Sequence, residues 1–358
     1  MTPELFTDVV WYALAFVTAL GLALFVTPLT IRVATTFKIH DAPDGRLKKH
    51  TEPTPYLGGL AVAASFVIAY GVLTTPQTTD YQAMGMLVGG FMVLLLGLYD
   101  DLTNLSPSVK FLGQLLAAFV IWKGGVRVDI ATLPEWANMA LTLLWVTGIA
   151  NAFNIIDIMD GLAAGTATIA ALFLFAISLV IEDRQVVPFM AITLAGALVG
   201  YLRFNFNPAR IFLGDTGSLF VGFTIGCLSM IVSYTDHNRV ALAAPVVLLS
   251  VPIFDTAFVA WHRARKGIPF FRGSPDHYAL RLRHRGLSVR QVVLRTYAVA
   301  IALGAVTLTI VFGTQEVATV ALAVAGLAWL VAFFGLSRFP APVKAKPAPQ
   351  PADEDGPS

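Results

Sequence analysis

Long apolar runs alternate with short polar connections along nearly the whole chain. Runs of about 17–22 residues, the length a helix needs to cross a lipid core, fall near 9–31, 57–75, 83–99, 108–123, 137–152, 161–181, 187–202, 217–234, 241–261, 291–312 and 316–336. The pattern predicts an all-α polytopic membrane protein of about eleven transmembrane helices, with one transmembrane domain over 1–339. The first run follows the acidic segment Glu4–Asp8 and is too long for a signal sequence, so it reads as a retained helix. From 340 to 358 the chain is rich in Pro and Ala and contains Asp353-Glu354-Asp355. Such a segment cannot bury a core, and a disordered tail is expected.

Composition sharpens this reading. Of 358 residues, 56% are hydrophobic and only 13% charged, against about 25% charged in soluble domains. The single cysteine, Cys227, lies in an apolar run. It excludes an intrachain disulfide or a cysteine-based metal site and reads as inert packing. Counting spans from the N-terminus puts Lys123, Arg127, Arg184 and Arg239 on one side and the rest of the 24 Lys and Arg on the other, mainly in 32–56 and 262–290. The positive-inside rule then predicts a plasma (inner) membrane protein with its N-terminus outside and its C-terminus cytoplasmic. The connections near 74–80, 124–136, 182–186, 235–239 and 313–316 face outward and are short or chemically plain.

The acidic residues cluster at the cytoplasmic ends of these helices. They are Asp100-Asp101, the run Asn151 to Gly161, Gly214-Asp215-Thr216-Gly217-Ser218, and Asp276-His277. Several carboxylates on one face at a membrane edge repel one another unless a cation neutralises them. The pattern points to an enzyme with a cytoplasmic cleft that holds a divalent metal and a phosphate-bearing substrate. Asp100 and Asp101 precede the helix breaker Ser106-Pro107 and would share a metal or a basic group, or would simply be a solvated helix end. Asn151, Asn154, Asp157 and Asp160 recur every three positions. On a continuous helix they form one stripe, suited to hydrated Mg2+ or sugar hydroxyls, or to a polar seam between helices. Gly214–Ser218 opens a helix whose free N–H groups would favour an anion, although Asp215 could serve only as its cap. Asn205, Asn207 and Arg210 upstream add hydrogen-bond donors.

The loops 41–59 and 262–290 are basic, as any positive-inside loop would be, and specific phosphate binding by a few of their residues gains weight only beside the acids. Asp255 is placed about two turns inside the helix over 241–261. His40, His237 and His262 carry no spacing signal, and no nucleic-acid motif appears.

Taken in order, these motifs resemble the polyprenyl-phosphate N-acetylhexosamine-1-phosphate transferases, in the WecA/TagO-like branch and more distantly MraY. The likeness runs from Asp41 to Ser288. It is carried by Lys48-Lys49-His50 through Gly58-Gly59, Asp100-Asp101 with Ser106-Pro107 and Lys110, Asn151 to Ala164, Asn205 to Ser218, Pro252 to Asp255, and Asp276-His277 with Arg281 and Arg285 to Ser288. The family moves a sugar 1-phosphate from a UDP-sugar to a lipid phosphate, releases UMP and needs Mg2+ or Mn2+. The resemblance implies Asp215, Asp100 and Asp101 as metal ligands and Asp100, Asp101, Asp157 and Asp160 as catalytic residues. It implies Lys48, His50, Asn154, Asn205, His277 and Arg281 as substrate contacts. The chain departs from the family's His-x-His-His: His277 keeps the first position, and Ala279 and Leu280 stand at the other two.

The expected function is Mg-dependent transfer of N-acetylhexosamine 1-phosphate, GlcNAc first among candidates, to undecaprenyl or another polyprenyl phosphate, initiating a lipid-linked cell-surface glycan. The implied partners are UDP-N-acetylhexosamine, the polyprenyl phosphate and the membrane, with no nucleic acid and a homodimer left open. A secondary transporter is the rival reading; it predicts acids near mid-helix and paired inverted halves. A catalytically inactive relative acting as a binding protein is the third.

Overall fold

The computed structural model describes residues 3–41, 54–74, 80–181, 186–269 and 273–341. Lys48, His50 and the tail from residue 342 lie outside the described residues. In chain order the elements are α1 (Pro3–Thr36), β1 (His40–Asp41), β2 (Thr54–Pro55), α2 (Gly58–Leu73), α3 (Tyr81–Thr103), α4 (Pro107–Lys123), α5 (Glu135–Ile156), α6 (Leu162–Ile181) and α7 (Val186–Asn205). They continue with α8 (Gly214–Ile231), α9 (Ala244–Leu248), α10 (Ser250–Arg265), α11 (Tyr278–His284), α12 (Val289–Phe312) and α13 (Gln315–Ser337). Apart from the two-residue antiparallel pair β1–β2, with His40 opposite Pro55, the described chain is helical. The protein is an all-α polytopic membrane protein.

Ten of the eleven apolar windows each fall on a single helix. Among the described residues, eight helices are long and apolar enough to cross a membrane, and a ninth crossing arises if a bent pair counts as one. Helices α2 and α4, at 16 and 17 residues, are shorter. The window over 241–261 is the exception, because it is broken between α9 and α10 by a 70° bend. Pro252 has no N–H to give the Leu248 carbonyl, so the hydrogen-bond ladder is interrupted there. Asp255, expected two turns inside a continuous helix, therefore sits in the second turn of α10.

Helix α8 is the axis of the bundle. Every residue from Thr216 to Ser229 is buried, with α3 and α5 packed along it and α2, α6 and α7 also in contact. At the periphery, α1 and α13 expose Val17, Phe25, Val320 and Val331. Within lipid there is little hydrophobic gain from pairing two helices, so close backbone approach has to supply the attraction. Gly97 on α3 allows it, since a Cβ there would lie 2.5 Å from the Asp215 carbonyl oxygen.

The start of α8 is also stitched to the chain before α2. Phe212 donates its N–H to the Pro55 carbonyl at 2.8 Å, and Gly58 and Gly59 donate to Phe212 and Leu213 at 3.0 and 2.9 Å. Gly214 makes this junction with φ +71°, and a Cβ would come within 2.5 Å of the Tyr56 carbonyl oxygen. Backbone strain and clash coincide at that one residue. Gly214→Ala is expected to destabilise the protein by about 1–3 kcal/mol, read as a lower unfolding temperature in detergent.

Candidate active site

Helix ends bring three of the four acidic motifs together. Asp100 and Asp101 close α3, and the connection to α4 is short because Asn104 adopts φ +57° while Asp100 Oδ1 accepts the Leu105 N–H at 2.7 Å. Pro107 at the first turn of α4 then sets Lys110 facing back toward α3. Its ammonium lies 2.7 Å from Asp100 Oδ2 and also bonds Asp215 Oδ2. Asp215, on the first turn of α8, receives Asn154 Nδ2 from α5 on its other oxygen at 2.7 Å. Asn154 reaches Ser218 Oγ as well, at 2.9 Å. Four helices thus meet on the Asp100–Lys110–Asp215 bridge.

Asp101 is engaged differently. Its Oδ1 accepts the Asp215 N–H at 2.9 Å, and its Oδ2 accepts the Thr216 N–H at 3.0 Å and the Thr216 hydroxyl at 2.6 Å. Asp101 is therefore the anion at the positive end of α8. Two of the N–H groups expected to await an anionic ligand there, those of Asp215 and Thr216, are already bonded to it, and Asp215 is not the cap.

The 151–161 motif does not run on as one helix. Helix α5 ends at Ile156 and Gly161 turns at φ +78°, so the three-residue stripe breaks. Asn151 pairs with Gln114 of α4. Asp160 Oδ2 accepts from Asn207 Nδ2 at 2.8 Å and from the Ala209 N–H at 3.0 Å, and Arg290 of α12 holds the Asn207 carbonyl at 2.9 Å. Asn205 is buried, with its carbonyl oxygen on the Gly161 N–H at 3.0 Å and its amide donating to the Ile211 carbonyl at 2.9 Å. Both ends of that side chain are occupied by backbone. Asp157 lies in the turn after α5 and accepts no hydrogen bond or ion pair among the described residues. Burial, and then the neighbouring Asp215, Asp101 and Asp160, push its carboxyl up to about 8.

His277 and Arg281 belong to a second network around α10 and α11. Asp255, fully buried, accepts from His277 Nδ1 at 2.7 Å and from the Tyr278 N–H at 3.1 Å, and the imidazole Nε2 has no partner among the described residues. Asp276 Oδ1 is paired with Lys266 at 2.5 Å and with Arg281 at 3.2 Å. Burial opposes its charge, but Lys266, Ser274 and Arg281 hold its carboxyl below the usual range. Arg281 also donates to the Ser337 carbonyl at the end of α13 and to the Phe339 carbonyl just past it. Its donors are directed to protein groups. Among the described residues, no hydrogen bond or ion pair joins this network directly to the acidic centre.

Lys110 is the residue that motif reading left out of the site. Its signal was available: a lone lysine in the first turn of an apolar helix, at the edge that carries Asp100 and Asp101. Thr216 and Gln114 gave no comparable sign, because their roles depend on partners far away in sequence.

The position of Asp157 has a measurable consequence. The unfolded chain ionises this carboxyl near 3.8, whereas the folded protein keeps its proton to about 8. The folded state binds more protons between those values, so its stability falls as pH rises from about 4 to about 8. In metal-free protein this slope should appear in unfolding temperatures measured across that range, and Asp157→Asn should flatten it.

Comparison with known proteins places this geometry. Residues 83–233 match the glycosyl transferase family 4 model. The chain is 36% identical over 293 residues to the probable undecaprenyl-phosphate N-acetylglucosaminyl 1-phosphate transferase of Bacillus subtilis, covering 80% of this chain and 81% of that one. It is 32% identical over 321 residues to the decaprenyl-phosphate N-acetylglucosaminephosphotransferase of Mycobacterium tuberculosis, covering 79% of each. It is 30% identical over 326 residues to the phospho-N-acetylmuramoyl-pentapeptide-transferase of Pelotomaculum thermopropionicum, covering 81% of this chain and 95% of that one. With its acids gathered by α3, α5 and α8 inside the matched region, the chain belongs to glycosyl transferase family 4, the membrane family of these sugar-phosphate transferases.

Proposed function

We propose that the protein transfers N-acetylhexosamine 1-phosphate, with GlcNAc as the sugar, from a UDP-sugar to undecaprenyl or another polyprenyl phosphate, releasing UMP and starting a cell-surface glycan. The observation that carries this reading is the Asp100–Lys110–Asp215 bridge, flanked by Asn154 and Asp157 at one end of the bundle. It is supported by the two relatives named for GlcNAc phosphotransfer, which match this chain over about four-fifths of its length.

The residues suit a Mg2+ ion. Asp100 and Asp215 place carboxylates on the Lys110 ammonium, Asp101 is bonded to the Asp215 N–H, and Asp157 lies near Asp215, Asp101 and Asp160 with no donor of its own among the described residues. No three Asp, Glu, His or Cys side chains form a ready-made cage among the described residues. That is how Mg2+ sites are commonly built, with one or two carboxylates supplemented by water and substrate phosphates. Asp215 and Asp100 would hold the ion, which would offset the charge of the donor pyrophosphate.

The remaining steps fall to the chain. A lipid phosphate oxygen attacks the sugar-bearing phosphorus in line, and the bond to the UMP oxygen breaks. The acceptor is already largely ionised near neutral pH, so orientation matters more than a base. Asn154 fixes the Asp215 carboxylate, and Asp101, capping α8, holds the turn that presents it. Asp160 secures the neighbouring 207–209 turn. His277, oriented by Asp255, offers Nε2 to the donor.

Purified protein with undecaprenyl phosphate, Mg2+ and a panel of UDP-sugars should release UMP with UDP-GlcNAc. Chelation should stop the reaction and added Mg2+ restore it. Asp215→Asn should lower the rate by about two to three orders of magnitude at unchanged folding. Full activity of that variant, or no UMP with any donor, would overturn the assignment.

A further inference from the structure

We infer that Lys110 is an internal counter-ion, occupying the place between Asp100 and Asp215 that a divalent cation takes over, so that cation binding is an exchange. This rests on the function proposed above.

Each of the two carboxylates is held by a protein donor on one oxygen: the Leu105 N–H on Asp100 and Asn154 on Asp215. The other oxygen of each faces the Lys110 ammonium. Those two oxygens are the ones left for another cation, and a second positive charge cannot share them with the ammonium without repulsion. Mg2+ draws its oxygens to about 2.0–2.1 Å, inside the distance at which the ammonium sits, and carries twice its charge.

The lysine can leave. Its charge rides on a flexible four-carbon stem and bonds as a point charge, with none of the fixed fork of an arginine. Nor is it sealed in, since its side chain keeps 17% of its surface accessible. The exchange also answers a physical question that the clustered acids raise. Two carboxylates held this close at a lipid edge would be strongly unfavourable without a cation. Lys110 supplies one until the divalent ion arrives.

Lysine acylation followed by mass spectrometry tests this on the full-length protein in detergent. Mg2+ should raise the labelling of Lys110 severalfold, while Lys266, paired with Asp276 in the other network, stays constant. If Mg2+ shifts the unfolding temperature but leaves Lys110 labelling unchanged or lower, the exchange is wrong and the cation site stands. If Mg2+ shifts nothing, both the exchange and the Mg2+ part of the proposed function fall.

Binding of Mn2+, followed by paramagnetic resonance, gives a second reading. Lys110→Met should tighten binding by about tenfold. Lys123→Met, which removes a charge stacked on Trp122 at the other end of α4, should change it by less than about twofold. Weaker binding in Lys110→Met would make the lysine a support for the site and overturn the exchange.

Discussion

Repulsion among carboxylates gathered in a poorly solvated space is the constraint around which this end of the bundle is built. The protein meets it with a different device for each acid. Asp101 spends its charge on the N-terminus of α8, Asp160 on an amide and an N–H of the 207–209 turn, and Asp100 and Asp215 share Lys110. Asp157 has none of these and keeps its proton instead. A low local dielectric makes each arrangement stronger and each omission more severe.

These devices act over short distances, so the helices that carry them must be set accurately, and that falls to α8. Its first turn receives contacts from the α2 junction, the end of α3 and the end of α5. Its length is enclosed by neighbours, while α1 and α13 face outward. The polar centre is thus mounted on the most enclosed helix of the molecule, where a shift of the backbone is hardest. Asp101 joins the two requirements in one residue, stabilising α8 by its position and keeping Asp215 beside Asn154 and Lys110.

Much of the helical framework was legible in the chain because continuous apolar runs have one solution in lipid. The features that escaped depend on local breaks or on distant partners. Pro252 lay inside an apolar run, and hydropathy alone smoothed over the bend that Pro252 introduces. The period of three from Asn151 to Asp160 read as a helix face, although Gly161 marked the turn that ends it. That Asp100, Asn154 and Asp215 would come together followed from their shared position at the ends of apolar runs. That Asp101 would cap a helix 114 residues later did not, since nothing near Asp101 encodes it. Asn205 and Arg281 were expected to meet substrate, and the structure gives their polar atoms backbone and side-chain partners within the protein.

The end of α13 carries a consequence for handling the protein. Arg281 holds the Ser337 and Phe339 carbonyls, His262 meets the Ser337 hydroxyl at 3.1 Å, and the Arg285 guanidinium lies 3.4 Å from the centre of the Phe339 ring. The last helix is thereby buckled onto the segment that orients His277. A fusion partner or affinity tag joined directly after Phe339 would tug on that buckle. One attached through a long flexible spacer beyond residue 341 would leave it closed.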